Sequence, residues 1–192
     1  IRHYCWNNLF RAGHSQGGYL VTRLNTMHQT NGLIAHAPGP LNLVYRCGLE
    51  ENGQVQSSTT CTKLKNVYGL TSTNSTAYAE RSLLNFTNGF KADILFIQGL
   101  NDSAIQLDSW PTFKQEILNC APCKIRQFVE VPGGHTALFD NTTAKAEFNN
   151  FIKAEPYKPL IYKCVLSTHH SLLLIENLGQ KTKVLKHLVT FY

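Results

Sequence analysis

The stretch Gly13-His14-Ser15-Gln16-Gly17-Gly18 constrains this chain more than any other. Glycine loses more conformational freedom on ordering than any other residue, so three around one serine point to a special backbone shape. They stand between the short run of residues 8–12 and the helically spaced Leu20, Val21, Leu24 and Met27. The spacing Gly-x-Ser-x-Gly fits a strand that turns sharply into a helix, with the serine at the strained apex. Gly13 and Gly17 are then expected where a Cβ would collide with passing backbone. A glycine turn with an incidental serine has the same letters, so the rest of the chain must decide.

The first helix closes at Asn31-Gly32, and Leu33-Ile34-Ala35-His36-Ala37 follows as a short buried strand ended by Pro38-Gly39-Pro40. Residues 52–76 are rich in Gln, Ser, Thr and Asn. They read as a surface excursion with one helical piece. Ile94-Leu95-Phe96-Ile97 is an unbroken apolar run of the kind a parallel sheet buries on both faces. Trp110, Phe113 and Ile117 mark a helix stripe capped by Asp108 or Ser109, with Pro111 in the first turn. Phe128 to Val131 reads as a strand, closed by Pro132-Gly133-Gly134. Ala144, Phe148, Phe151 and Ile152 give a final helix that starts at Thr142 or Thr143. This alternation is the rhythm of an α/β protein with a mostly parallel sheet flanked by helices.

In such sheets ligands gather beyond the carboxyl ends of the strands. Ser15, Asp102 and His135 each follow a predicted strand there, in the chain order Ser, Asp, His. Acyl transfer needs those three groups. A serine hydroxyl is a weak nucleophile at neutral pH, and an imidazole must take its proton as it attacks. A carboxylate fixes the imidazole tautomer and stabilises the imidazolium. The backbone N–H of Gln16, next after the serine, is the expected first donor to the oxyanion. Asp108 is the competing carboxylate, better placed as a helix cap. His3, His14, His28, His36, His169, His170 and His187 follow no strand-to-loop junction of the needed kind. The adjacent His169 and His170 diverge, so no metal site is expected there.

With 192 residues, 43% of them hydrophobic and 16% charged, the chain suits one globular domain. No apolar run is long enough to span a bilayer. Of the net charge of +6, the segment from Pro156 to Tyr192 supplies +4 through five lysines and one acid. That scattered, lysine-only excess lacks the arginine or aromatic interleaving of a nucleic-acid surface, and no such partner is expected. Cys47 and Cys61 flank a polar loop, and Cys120 and Cys123 form a tight pair. Two local disulfides in a secreted or periplasmic protein would explain both. A single C-x-x-C without a second ligand pair does not make a zinc site. The chain opens at Ile1 without a signal-like segment, which leads to the expectation of an N-terminus further upstream.

Gly13-His14-Ser15-Gln16-Gly17-Gly18-Tyr19 resembles the nucleophile elbow of the α/β-hydrolase superfamily, and its Gly-Gly-Tyr ending is similar to the prolyl-oligopeptidase-like branch. Tyr78-Ala79-Glu80-Arg81-Ser82-Leu83-Leu84-Asn85-Phe86 resembles the segment before the acid strand of that branch. Ile97-Gln98-Gly99-Leu100-Asn101-Asp102 resembles its acid turn, and Pro132-Gly133-Gly134-His135 its histidine loop. The resemblance spans roughly residues 8–154. It implies a partial α/β-hydrolase fold without the N-terminal strands: residues 1–155 as the C-terminal portion of a catalytic domain, residues 156–192 as an unassigned basic extension. It also implies a serine hydrolase with Ser15, Asp102 and His135 as its triad and Gln16 as an oxyanion donor. Peptide or ester substrates and no cofactor go with that. Carboxylesterase or lipase-type activity is the alternative, as is an inactive truncated fragment, since the second oxyanion donor of the family comes from the half not represented.

Overall fold

The computed structural model describes residues 10–28, 30–118 and 126–154, together with the backbone of 175–178 and 181–184. Its centre is a four-stranded sheet in the order β1 (Phe10–His14), β2 (Gly32–His36), β3 (Asp93–Gly99) and β4 (Arg126–Val131). All three neighbouring pairs are parallel, with His14 level with His36 and Ile97 level with Val129. Every residue of β2 and β3 is buried. Their apolar runs are unbroken because successive side chains enter opposite cores. Leu33, Ala35, Ile94 and Phe96 pack on one face with Trp110, Phe113 and Ile117, while Ile34, Leu95 and Ile97 pack on the other with Phe151 and Ile152.

The helices covering those faces are α1 (Gln16–Met27) and α6 (Trp110–Leu118) on the first, and α7 (Ala137–Asp140) and α8 (Thr142–Ala154) on the second. A short α5 (Ala104–Leu107) precedes α6. Fully burying an aromatic such as Phe96 contributes roughly 1.5–3 kcal/mol, so the two cores fix the strand register firmly. Both helices begin where expected, α8 at Thr142 and α6 directly after Ser109. Ala144 N–H donates to Asn141 Oδ1 (3.1 Å), so Asn141 opens α8. At α6, Phe113 N–H bonds the Ser109 carbonyl (2.9 Å), and the Asp108 carboxylate reaches Arg46 (3.4 Å) instead.

Between β2 and β3 lie α2 (Leu43–Glu51), α3 (Thr59–Tyr68) and α4 (Ser75–Ala79); α3 is the helical piece expected within residues 52–76, and α2 and α4 flank that stretch. Each buries only a narrow face, through Leu43, Cys47, Cys61, Ala77 and Tyr78, which is why the apolar periodicity is faint. Polar groups supply the rest. Asn42 and Ser58 cap α2 and α3 with their side chains, and Glu51 accepts three hydrogen bonds from Thr71. Cys47 and Cys61 form a disulfide closing a loop of sequence separation 14, worth roughly 3 kcal/mol by loop closure.

Cys120, Cys123, His3, His169, His170 and His187 lie outside the described residues, as do residues 8–9 of the first predicted strand. In the tail, β5 (Ile175–Leu178) and β6 (Lys181–Val184) pair antiparallel in a sheet of their own. Among the described residues β1 is therefore an edge of the main sheet. No described helix is long and apolar enough to cross a membrane.

Candidate active site

Ser15 is the single residue between the end of β1 and the start of α1. Its φ of 56° and ψ of −119° put a residue with a Cβ in a conformation that costs about 1–3 kcal/mol. Backbone bonds on both sides hold it there. Ser15 N–H donates to the His36 carbonyl (2.9 Å), and its own carbonyl accepts from Tyr19 N–H (3.0 Å). The hydroxyl is not used to cap α1, so it stays available.

The glycines divide the work differently from expectation. A Cβ at Gly13 would stand 2.2 Å from the Gly17 carbonyl oxygen, and one at Gly18 would stand 3.0 Å from Pro38 Cα. At Gly17 a Cβ would meet nothing within 4 Å. Gly17 thus contributes its backbone to the crowding, and Gly18 is the second glycine that close packing requires.

Asp102 and His135 are brought together from the ends of β3 and β4. The His135 Nδ1 to Asp102 Oδ2 separation is 2.8 Å, and the carboxylate is only 2% exposed. Asp102 accepts two further hydrogen bonds, from Gln98 Nε2 (3.0 Å) and from Ser103 N–H (2.7 Å). With the carboxylate as acceptor, Nδ1 carries the imidazole proton and Nε2 is left free to take one. Close packing of the two turns makes this meeting possible. A Cβ at Gly99 would fall 2.2 Å from the Gly134 carbonyl oxygen, and Gly133 has a φ of +128°. Leu100 and Asn101 stitch the turns together through Leu100 N–H to Val131 O, Asn101 N–H to Gly133 O, and Gly133 N–H to Asn101 Oδ1.

Two histidines set aside on sequence grounds sit at strand ends after all. His14 closes β1 and His36 closes β2. Their rings stack at 4.6 Å, His135 leans on His14 at 4.7 Å, and Phe139 meets both His14 and His36 edge-on. Burial pushes His36 down to about 4, with His14 and His135 adding repulsion. Burial and His135 likewise lower His14. His36 Nε2 accepts the Leu138 N–H (3.1 Å), which an imidazolium could not do. A neutral stack of His14 and His36 therefore backs His135.

Of the predicted set, Asp102 and His135 are hydrogen-bonded. Ser15 adjoins them through His14, its neighbour in the chain, and no hydrogen bond joins Ser15 to His135 among the described residues. Gln16 is the first residue of α1, so its N–H has no carbonyl of its own helix to reach. Ser15 and Gln16 open on a cavity of about 520 Å³ walled by Tyr19, Pro40, Leu43 and Gln106. Gln98 is the partner most legible in hindsight, a fully buried polar residue directly after the apolar run Ile94 to Ile97. Among the described residues no cluster of His, Cys, Asp and Glu could hold a metal ion.

The strained serine stands at a strand–helix turn, with the carboxylate–imidazole pair from the next strand ends, and known structures are similar to the chain at the level of fold. The acylaminoacyl peptidase of Pyrococcus horikoshii superposes with a TM-score of 0.58 at 19% identity, over 79% of this chain and 25% of that one. A puromycin-hydrolyzing peptidase of Mycobacterium tuberculosis gives 0.55 at 18%, over 80% and 23%. Acetyl xylan esterase 1 of Thermoanaerobacterium sp. JW/SL YS485 gives 0.57 at 15%, over 75% and 44%. The chain has part of the α/β-hydrolase fold, and it spans about a quarter of the length of the peptidases and under half that of the esterase. No protein-family model and no curated protein matches it.

Proposed function

We propose that this chain carries the catalytic centre of a serine hydrolase that cleaves peptide bonds, prolyl-oligopeptidase-like in kind, through an acyl-serine on Ser15. The observation that carries it is the 2.8 Å bond between Asp102 and His135, made beside a serine held at φ 56° on an elbow. In this reading His135 Nε2 takes the Ser15 proton as Oγ attacks the scissile carbonyl. The resulting oxyanion is met by the Gln16 N–H, and the same imidazole then protonates the leaving amine. Asp102, buried and accepting from Gln98 and Ser103, stabilises the imidazolium while it lasts. Water repeats the sequence to release the acyl group.

Residues 1–155 are assigned to the catalytic domain and 156–192 to an extension, in keeping with α8 closing the main core at Ala154 and the separate β5–β6 sheet. The Cys47–Cys61 bridge supports an oxidising location, secreted or periplasmic. Turnover of a Pro-p-nitroanilide peptide against p-nitrophenyl acetate, each with Ser15→Ala as control, tests the function. Peptide cleavage lost in the variant supports a peptidase. Ester cleavage alone makes the site an esterase, and turnover that survives in Ser15→Ala overturns the proposal.

A further inference from the structure

The cavity beside Ser15 contains a chemical asymmetry. Among the described residues its only charged lining residue is Arg81, and no described carboxylate lines it. The Arg81 guanidinium is held in one orientation from α3 and α4. One nitrogen donates to the Ala77 carbonyl (2.7 Å), another to the Tyr68 hydroxyl (2.6 Å), and the Tyr68 ring lies 4.3 Å from Cζ. Both acceptors are neutral, so they orient the charge without cancelling it. Glu80, 63% exposed, forms a loose, solvent-screened ion pair with one guanidinium nitrogen at 3.8 Å, beyond hydrogen-bond reach. Two of the five N–H donors of an arginine are therefore engaged, and three remain for a ligand. A pre-oriented fork of this kind loses little freedom when it closes on a carboxylate.

A second, independent feature lines the same cavity. Gln106 is 8% exposed, and its Oε1 has no hydrogen-bond partner. Buried acceptors are nearly always paired, and the natural partner for this one is a ligand N–H. Gly39 leaves the room for it, since a Cβ there would stand 2.3 Å from Oε1. The rest of the wall is largely apolar, with Tyr19, Pro40, Leu43 and Ile105.

We propose that this cavity binds a peptide-like acyl group bearing a carboxylate, with the carboxylate on Arg81 and an amide N–H on Gln106 Oε1. A free ammonium is disfavoured there, because it would lose water facing a like charge with no described acid among the lining residues to receive it. The substrate class is thus acidic or diacid-blocked acyl groups rather than free N-terminal amines. As a substrate pocket this rests on Ser15 being the nucleophile, but binding can be measured without turnover.

Isothermal calorimetry of the full chain with succinyl-alanine amide, acetyl-alanine amide and alanine amide tests it. The succinyl ligand is expected to bind about tenfold or more tighter than the acetyl one, on the scale of one charge-assisted pair, and alanine amide not detectably. Arg81→Met should erase the succinyl advantage and leave acetyl affinity unchanged. Arg81→Lys, which keeps the charge, should retain part of it and serves if the methionine variant does not fold. Gln106→Leu should weaken both amide ligands equally. Equal affinities in the wild type, no binding of any ligand, or an advantage that survives Arg81→Met would overturn the assignment. Fluorophosphonate labelling of Ser15, run in parallel, reads the nucleophile alone, so the two can fail separately.

Discussion

The backbone N–H of Leu138 donates to Nε2 of His36 at 3.1 Å, across 102 positions of sequence, and so ties the end of β2 to the turn that follows His135. The same residue's carbonyl holds the Ser15 amide. His36, 1% exposed, thereby touches the supports of both reacting groups. His36→Phe keeps the ring stack but strands the Leu138 N–H, at a cost of about 1–3 kcal/mol for an unsatisfied buried donor. Urea denaturation should show a lowered midpoint with an unchanged slope. An unshifted midpoint would mean the bond contributes nothing.

The same imidazole makes stability depend on pH. Its folded-state value is about 4 against an ordinary 6.5, so the unfolded chain binds a proton that the folded chain refuses. The stabilisation is complete above about 6.5 and is lost as pH falls toward 4, at up to about 1.4 kcal/mol per pH unit. Denaturation curves between those limits should lose this slope in His36→Phe. Identical pH dependence in both proteins would assign the titration elsewhere.

The elbow glycines should separate sharply. Gly13→Ala drives a Cβ into the Gly17 backbone at 2.2 Å and should abolish reactivity of Ser15 while lowering stability by several kcal/mol. Gly17→Ala meets open space inside α1 and should be neutral or stabilising by up to about 1 kcal/mol. Thermal melts of the two variants check this. Equal damage from both would contradict the packing described.

Asp102 and Asp108 differ in the same testable way. Asp102→Asn should lower turnover on the scale of ~10⁴, because the imidazole loses its orienting acceptor. Asp108→Asn removes a partly exposed contact with Arg46 at 3.4 Å and should leave turnover within about twofold, since such pairs contribute about 0–1 kcal/mol. Comparable losses of kcat would sink the assignment.

Thiol counting reads the disulfide. Of the six cysteines, the bridge between Cys47 and Cys61 leaves at most four reactive in unfolded, unreduced protein. Six free thiols would refute the bridge and the oxidising location proposed from it.

Much of this was legible in the letters for a physical reason. Where a strand is buried on both faces, as at Ile94 to Ile97, composition alone reveals it, and a turn crowded to 2.2 Å needs its glycine. The places of Ser15, Asp102 and His135 just beyond β1, β3 and β4 were readable because the apolar runs mark where those strands end. What stayed hidden depends on contacts across long separations. His36 gains its role only from Leu138, and the helices α2–α4 are held by caps, Glu51 and a disulfide more than by an apolar stripe. Arg81 gave no signal beyond its place in a family-like segment, because the cavity it lines joins residues from five separate stretches.

The central claim is that Ser15 is the nucleophile, and one measurement addresses it directly. The full chain is incubated with a fluorophosphonate, digested, and the peptide spanning Gly13 to Tyr19 is weighed by mass spectrometry. A phosphonyl adduct on Ser15, absent from Ser15→Ala and strongly slowed in His135→Gln, is the predicted result. An unmodified Ser15 in folded wild-type protein, or a label that persists on another residue in Ser15→Ala at the same rate, would contradict it.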